Sequence, residues 1–124
     1  MIIKGKSHPS ITTLGNYLSK EGENQKAALR DVFGTVSENI KGALLEMEAL
    51  ASGTNCKKHL YHASINPREN EHLTPEQWAQ AVNLLEKNLG LEGHQRLVVE
   101  HINKEGRQHY HVVWERVNPE KMAA

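Results

Sequence analysis

Hydrophobic positions recur at two different spacings along the chain, and the two spacings predict different secondary structures. Apolar residues three or four positions apart predict three helices, within "ITTLGNYLSKEG", "SENIKGALLEMEALASG" and "LTPEQWAQAVNLLEKNLG". The third helix has the clearest start, because Thr74 and Gln77 fit a capping box and Pro75 suits the first helical position. The residues expected to cap or stop the three helices are Ser10 and Gly22, Ser37 and Gly53, and Thr74 and Gly90.

Short runs rich in β-branched residues predict strands. Four of them are "MIIKGK", "KKHLYHASIN", "HQRLVVEHIN" and "RQHYHVVWERV", and Pro67 ends the second. The run "ALRDVFGTV" is either a further strand or an irregular arm. Strands and helices are interspersed, and a short turn joins the last two strands. We therefore expect an α+β fold, with helices packed on an antiparallel β-sheet, and a single domain over residues 1–124.

The turn between the last two strands determines which of their residues face each other. The loop "KEG" follows Asn103, which suits the first position of a type I turn, and Gly106 suits the left-handed bulge position. This loop places Asn103 opposite Arg107. Consequently, His101 is expected directly opposite His109.

Three histidines should therefore meet on one face of this hairpin. His111 lies two residues beyond His109 and points to the same side of the strand. His101 faces His109, with Cβ atoms about 4.5–5.5 Å apart. Three neutral imidazoles on rigid strands leave coordination positions for water or substrate, so we expect a metal site rather than a half-exposed strand that binds nothing. The ligands alone do not identify the metal, because imidazole suits Zn, Cu, Fe and Ni.

Composition and charge limit the function. The 124 residues carry 15 basic and 15 acidic side chains, so the excess positive charge typical of nucleic-acid-binding proteins is absent. Any DNA contact would use a local basic patch or a bound cation. No apolar run approaches the roughly 18 residues of a membrane span, and the N-terminus lacks the pattern of a signal peptide. The single cysteine, Cys56, cannot form an internal disulfide, which indicates a reducing cytoplasm.

Several segments resemble the N-terminal nuclease domain of plasmid relaxases, which are mobilization nucleases of the HUH endonuclease superfamily. "HYHVVWERV" resembles the histidine–hydrophobic–histidine strand of that family, and the spacing of His101, His109 and His111 is similar to its three-histidine metal motif. "LGNYLSKEG" resembles the early motif that contains a nucleophilic tyrosine. "GALLEMEALASGTNCKKHLYHASINP" and "LTPEQWAQAVNLLEKNLGL" are also similar to this family, so the resemblance spans nearly the whole chain.

The resemblance implies site- and strand-specific nicking of single-stranded DNA at a plasmid transfer origin, in a bacterial cytoplasm. Tyr17 would attack the scissile phosphate, leaving a 5′-phosphotyrosyl link and a free 3′-OH. The three histidines would hold a divalent ion, which is Mg²⁺ or Mn²⁺ in such enzymes, although imidazoles favour softer metals such as Zn²⁺. Other mobilization and secretion proteins would be further partners. The simpler interpretation of Tyr17 is a residue at the rim of its amphipathic helix, with its hydroxyl in water.

Other side chains are weaker candidates for the active site. His62 resembles in its placement a family motif that helps to shape the active site. Many relaxases have a carboxylate two residues after the first metal histidine, where this chain has Asn103. Asp31 and Glu115 could replace that carboxylate, and only Glu115 shares the predicted face of His109 and His111. The basic residues considered for phosphate contacts are Lys4, Lys6, Lys57, Lys58 and Arg116. The remaining histidines, expected to be exposed, are His8, His59, His72 and His94.

Three functions are compatible with these features. The first is a DNA-nicking enzyme, which requires Tyr17 and an open metal position. The second is a non-catalytic DNA-binding accessory protein, or a relaxase fragment that keeps the fold and the metal site. The neutral charge, the missing carboxylate and the end of the chain soon after the last strand favour this second function, which does not require Tyr17. The third is a structural zinc module, which would unfold on chelation.

Overall fold

The computed structural model of the protein describes residues 2–19, 25–68 and 70–123. It confirms the predicted α+β fold, and most of "ALRDVFGTV" lies in a strand. The elements in chain order are β1 (Ile2–His8), α1 (Ile11–Leu18), β2 (Gln25–Phe33), α2 (Ile40–Ala51), β3 (Leu60–Asn66), α3 (Pro75–Leu89), β4 (Arg96–Asn103) and β5 (Gln108–Glu115).

The five strands form one sheet in the order β1-β3-β5-β4-β2, in which every neighbouring pair is antiparallel. Helices α1 and α2 cover one face of this sheet, and α3 covers the other. Because both faces of β4 and β5 are buried along most of their length, each strand contains three consecutive apolar residues, 97–99 in β4 and 112–114 in β5, instead of strict alternation. The core on the α1–α2 side includes Leu14, Leu18, Leu44, Met47, Val99 and Val113. The core on the α3 side includes Ile65, Trp78, Val82, Val98, Val112 and Trp114.

The helix starts follow the predicted caps in two of three cases. The hydroxyl of Ser10 accepts a hydrogen bond from the Thr13 amide at 3.2 Å, and Thr74 forms the predicted capping box with α3. The predicted cap Ser37 of α2 is wrong. Asn39 caps this helix instead, because its side chain accepts from the Gly42 amide at 2.7 Å.

The helix ends differ more from the prediction. Helix α1 ends at Leu18, and its expected stop, Gly22, lies outside the described residues. Helix α2 ends at Ala51, before Gly53. Helix α3 ends at Leu89, and Gly90 follows it as predicted, in the left-handed conformation with φ 70°. No helix in the described part of the chain is long and apolar enough to cross a membrane.

The hairpin of β4 and β5 has the predicted register. The Gly106 amide donates to the Asn103 carbonyl at 2.9 Å, and Gly106 has φ 78°. The Asn103 amide in turn donates to the Arg107 carbonyl at 3.1 Å. As a result, His101 pairs directly with His109 across the two strands.

Candidate active site

Three histidines of β4 and β5 converge on the face of the sheet that α1 covers. The ring centroids are 4.4 Å apart for His101 and His111, 5.5 Å for His101 and His109, and 5.3 Å for His109 and His111. One nitrogen from each ring lies within 4.8 Å of the others. This is the arrangement that the hairpin register predicted, and these residues could hold a metal ion.

The backbone of α1 orients the first of these histidines. His101 is fully buried, and its Nε2 lies 2.9 Å from the carbonyl oxygen of Leu18. A carbonyl oxygen only accepts hydrogen bonds, so Nε2 carries a proton and Nδ1 is the ring nitrogen that could bind a metal. Metal-binding histidines commonly donate their second ring nitrogen to such an acceptor. The Leu18 carbonyl is thus an acceptor of this kind for His101, and a backbone acceptor leaves no signal in the sequence.

The surroundings of His111 also fit a metal ligand. Its Nδ1 lies 2.9 Å from Nε2 of His62, whereas its Nε2 is buried and has no hydrogen-bond partner among the described residues. Buried polar atoms are rarely left without a partner, and an ion is one of the groups that satisfies such an atom. The donor set of three imidazoles and this unpartnered nitrogen are together consistent with a bound divalent ion.

Burial lowers the pKa of three imidazoles of the site, those of His62, His109 and His111. Burial, and then the nearby histidines, lower the pKa of His111 to about 3. Burial, followed by the charges of His8 and His101, lowers the pKa of His62 to about 4. The pKa of His109 is also lowered, chiefly by burial. These three side chains are therefore neutral at pH 7, as imidazole ligands must be.

Tyr17 lies against this cluster, in the last turn of α1. Its ring meets that of His111 edge-on, with centroids 5.2 Å apart, and lies 5.9 Å from His101 and 6.0 Å from His62. The side chain is 49% exposed, so water and a substrate can reach its hydroxyl. The structure thus brings together the tyrosine and the histidines that the sequence singled out, on elements from opposite ends of the chain.

The edge strand β1 adds positive charge to the same face. Lys6 pairs with His62 and Lys4 pairs with Ser64, and directly opposed residues point to the same side of a sheet. Both lysines are exposed. His8, which was expected to be exposed, is partly buried, with its ring centroid 5.7 Å from that of His62. This edge offers two cations beside the histidine cluster.

The structure does not bring the predicted carboxylates to the cluster. Glu115 is on the predicted face, but it lies four residues beyond His111, about 13 Å along an extended strand. There it is fully buried, and one of its oxygens is hydrogen-bonded to Nδ1 of His59. Its other oxygen accepts from the Val117 amide at 2.8 Å. Asp31 instead pairs with Arg96.

The expectation that His59 and His94 are exposed is wrong. Three of the basic residues considered for phosphate contacts, Lys57, Lys58 and Arg116, lie at the same end of the sheet. Both histidines are buried, and Nδ1 of His94 lies 2.8 Å from the carbonyl oxygen of Glu115. Arg116 donates to the Lys58 carbonyl at 2.9 Å. Leu60 pairs with Glu115, so Lys57 and Lys58 precede β3 at the end of the sheet where Arg116 follows β5. Lys4 and Lys6 instead lie beside the histidine cluster.

One comparison with known proteins identifies a family. The family model described as relaxase, MobA/VirD2-like, nuclease domain, matches residues 17–124. The matched region begins at Tyr17 and contains the three converging histidines. Searches of curated proteins and of solved structures found no significant match.

Proposed function

Because the chain belongs to the MobA/VirD2-like relaxase nuclease family, we propose that it nicks single-stranded DNA at a plasmid transfer origin through Tyr17. DNA nicking in mobilization is the general activity of this family. The observation that carries the specific proposal is the edge-on contact of Tyr17 with His111, at a centroid distance of 5.2 Å. A phosphate seated at the three histidines would lie within reach of the tyrosine hydroxyl.

The proposed reaction is a transesterification. The Tyr17 oxygen forms a bond to phosphorus as the bond from phosphorus to the 3′ oxygen breaks. This leaves a 5′-phosphotyrosyl link and a 3′-hydroxyl. The phenol proton passes to water, which reaches the half-exposed side chain, and the departing 3′ oxygen takes a proton from water. The same step run backwards rejoins the strand without a further energy source.

The metal is assigned to the three histidines. His101, His109 and His111 would hold Mg²⁺ or Mn²⁺, with Zn²⁺ as the alternative that imidazole ligands favour. Such an ion would polarise the scissile phosphate and offset the charge that develops as the bonds exchange. Fixed strands hold the three rings, and the last turn of α1 holds the nucleophile, so little reorganisation is required when the substrate binds.

The single strand would run beside β1. Lys4 and Lys6 are exposed on the face of the histidine cluster and offer two phosphate contacts, whereas the total charge of the chain is zero. A local pair of cations of this kind, together with a bound metal ion, would attract DNA to a protein of zero net charge. Lys57, Lys58 and Arg116 lie at the other end of the sheet and would contact only a longer strand.

The test is covalent capture of DNA. The wild-type protein is mixed with Mn²⁺ and a pool of single-stranded oligonucleotides of random sequence, and adducts are separated on a denaturing gel. Wild type and the control Tyr61→Phe should form an adduct, because Tyr61 packs against Trp114 away from the cluster. Tyr17→Phe should form none, although it retains the fold and binds DNA. Protease digestion of the adduct should leave DNA attached to tyrosine.

Other outcomes of this experiment separate the competing functions. An adduct with Tyr17→Phe would show that another residue is the nucleophile. DNA binding without any adduct, in wild type and variant alike, would indicate the accessory protein. Loss of the folded state on addition of EDTA would indicate a structural zinc module instead of a catalytic site.

A further inference from the structure

His62 and His111 share a hydrogen bond between two ring nitrogens. The two residues lie on the neighbouring strands β3 and β5, where His62 is diagonal to His111, because Ser64 pairs with His111 and His62 with Val113. Nε2 of His62 lies 2.9 Å from Nδ1 of His111, and the ring planes are 33° apart. One of the two nitrogens must donate a proton and the other must accept it, so this contact couples the tautomers of the two rings.

The two nitrogens of His111 have different surroundings. Nδ1 faces His62, and Nε2 is the buried atom without a hydrogen-bond partner in the described part of the chain. If Nε2 binds a metal, it carries no proton, so the proton of the neutral ring lies on Nδ1. Nδ1 then donates to Nε2 of His62, and His62 carries its own proton on Nδ1. Only this arrangement is consistent with both the hydrogen bond and a metal at Nε2.

We propose that His62 is a positioning residue that sets the tautomer and orientation of His111 for metal binding. This inference rests on the proposed metal-dependent function. In many metal sites, a carboxylate accepts a hydrogen bond from the second ring nitrogen of a metal-binding histidine, and here His62 would be that acceptor. His101 is oriented differently, because its Nε2 donates to the Leu18 carbonyl, so Nδ1 is the nitrogen that would bind the metal. The two ligands thus present opposite ring nitrogens.

The alternative role for His62 is that of a fourth metal ligand. Its Nε2 is directed at Nδ1 of His111, and a nitrogen engaged in that hydrogen bond does not at the same time coordinate an ion. The group of histidines whose nitrogens lie within 4.8 Å of one another contains His101, His109 and His111 but not His62. The geometry therefore favours positioning over direct ligation.

The first measurement reads the tautomer in the metal-free protein. Long-range ¹H–¹⁵N NMR at pH 7.5 should show His111 of the wild type with its proton on Nδ1. His62→Leu removes the acceptor, and His111 should shift toward the form with its proton on Nε2. His62→Gln should keep the wild-type tautomer, because its amide oxygen accepts the same hydrogen bond. The matched control is His8→Leu, which removes a ring that contacts His62 and should leave His111 unchanged.

The second measurement is Mn²⁺ affinity by calorimetry. His62→Leu should weaken binding by about 10- to 100-fold, the usual effect of removing an outer partner of a metal ligand. His62→Gln should restore most of that affinity, and His8→Leu should bind as wild type does. Equal affinity for wild type and His62→Leu, with an unchanged His111 tautomer, would overturn the positioning role.

The outcomes distinguish this inference from the proposed function. Loss of affinity in both His62→Leu and His62→Gln, with the His111 tautomer unchanged, would make His62 a ligand and overturn the inference alone. Absence of Mn²⁺ binding by folded wild type would overturn the metal site of the proposed function, and the positioning role with it. If His62→Leu forms the DNA adduct normally and binds Mn²⁺ as tightly as the wild type does, the proposed function stands and the positioning role of His62 is overturned.

Discussion

Replacing His111 by leucine should stabilise the metal-free protein. His111 is almost fully buried, and its Nε2 has no hydrogen-bond partner among the described residues. A buried polar atom left in that state costs about 1–3 kcal/mol, whereas one ordinary hydrogen bond contributes about 0.5–1.5 kcal/mol. Leucine removes the cost at Nε2 and loses the hydrogen bond to His62. Because His62 is only partly buried, we expect water to replace His111 as its partner, so the free energy of unfolding should rise by about 1 kcal/mol.

Addition of metal should reverse this order of stability. At a Mn²⁺ concentration 100 times the dissociation constant, binding adds about 2.7 kcal/mol to the free energy of unfolding of the wild type. His111→Leu lacks one ligand and should gain far less. The wild type is thus expected to be the less stable protein in EDTA and the more stable one in Mn²⁺.

Urea unfolding followed by circular dichroism measures both effects. The series contains wild type, His111→Leu and the control His72→Leu, each at pH 7.5 with EDTA and with Mn²⁺. His72 is exposed, so its replacement should change the free energy of unfolding by less than about 0.5 kcal/mol. Destabilisation of metal-free His111→Leu by 1 kcal/mol or more would refute the reasoning, because it would show that Nε2 of His111 is satisfied in the absence of metal or that water does not replace His111 at His62.

Three other perturbations probe the DNA path, the buried histidines and the hairpin turn. Affinity for single-stranded DNA falls as salt rises, and each phosphate contact contributes about 0.7 to the steepness of log affinity against log salt concentration. Replacing both Lys4 and Lys6 by alanine should therefore reduce this steepness by about 1.4. An unchanged slope would show that the DNA binds elsewhere. In the metal-free protein, the free energy of unfolding should be largest above pH 6.5 and should fall toward pH 4. Burial lowers the pKa of His62 to about 4 and that of His111 to about 3, so over this range the unfolded chain binds more protons than the folded one. A free energy of unfolding that does not change with pH in urea titrations would contradict this. Gly106 has φ 78°, so Gly106→Asn should lower the free energy of unfolding by about 1 kcal/mol less than Gly106→Val in the same assay. Equal losses for the two variants would argue against a left-handed turn.

The parts of the structure that local chemistry controls could be predicted from the sequence. The turn after Asn103 fixes the hairpin register within a few residues, and this register alone brings His101 opposite His109. The capping box at Thr74 is similarly local. The cap of α2 was assigned to Ser37 instead of Asn39 because both residue types favour this position and the spacing does not choose between them.

The remaining contacts of the site join segments that are distant in sequence. His62 and His111 are 49 residues apart, and the pairing of β3 with β5 that joins them has no local signal. The Leu18 carbonyl is a backbone atom, so no residue type marks it. His59 and His94 were expected at the surface because histidine is mostly a partly exposed residue, yet the buried Glu115 binds both.

The contact between the Leu18 carbonyl and His101 joins the proposed nucleophile to the proposed metal site. Tyr17 and Leu18 are consecutive residues at the end of α1, so the segment that presents the hydroxyl also holds a proposed metal ligand in place. A strand of DNA that shifts this helix end would change the affinity for the ion. By the reciprocity of coupling free energies, the ion would change the affinity for DNA by the same factor. The test is to measure the dissociation constant of DNA with and without the ion, and that of the ion with and without DNA. If neither ligand changes the dissociation constant of the other, the helix end and the histidines act independently.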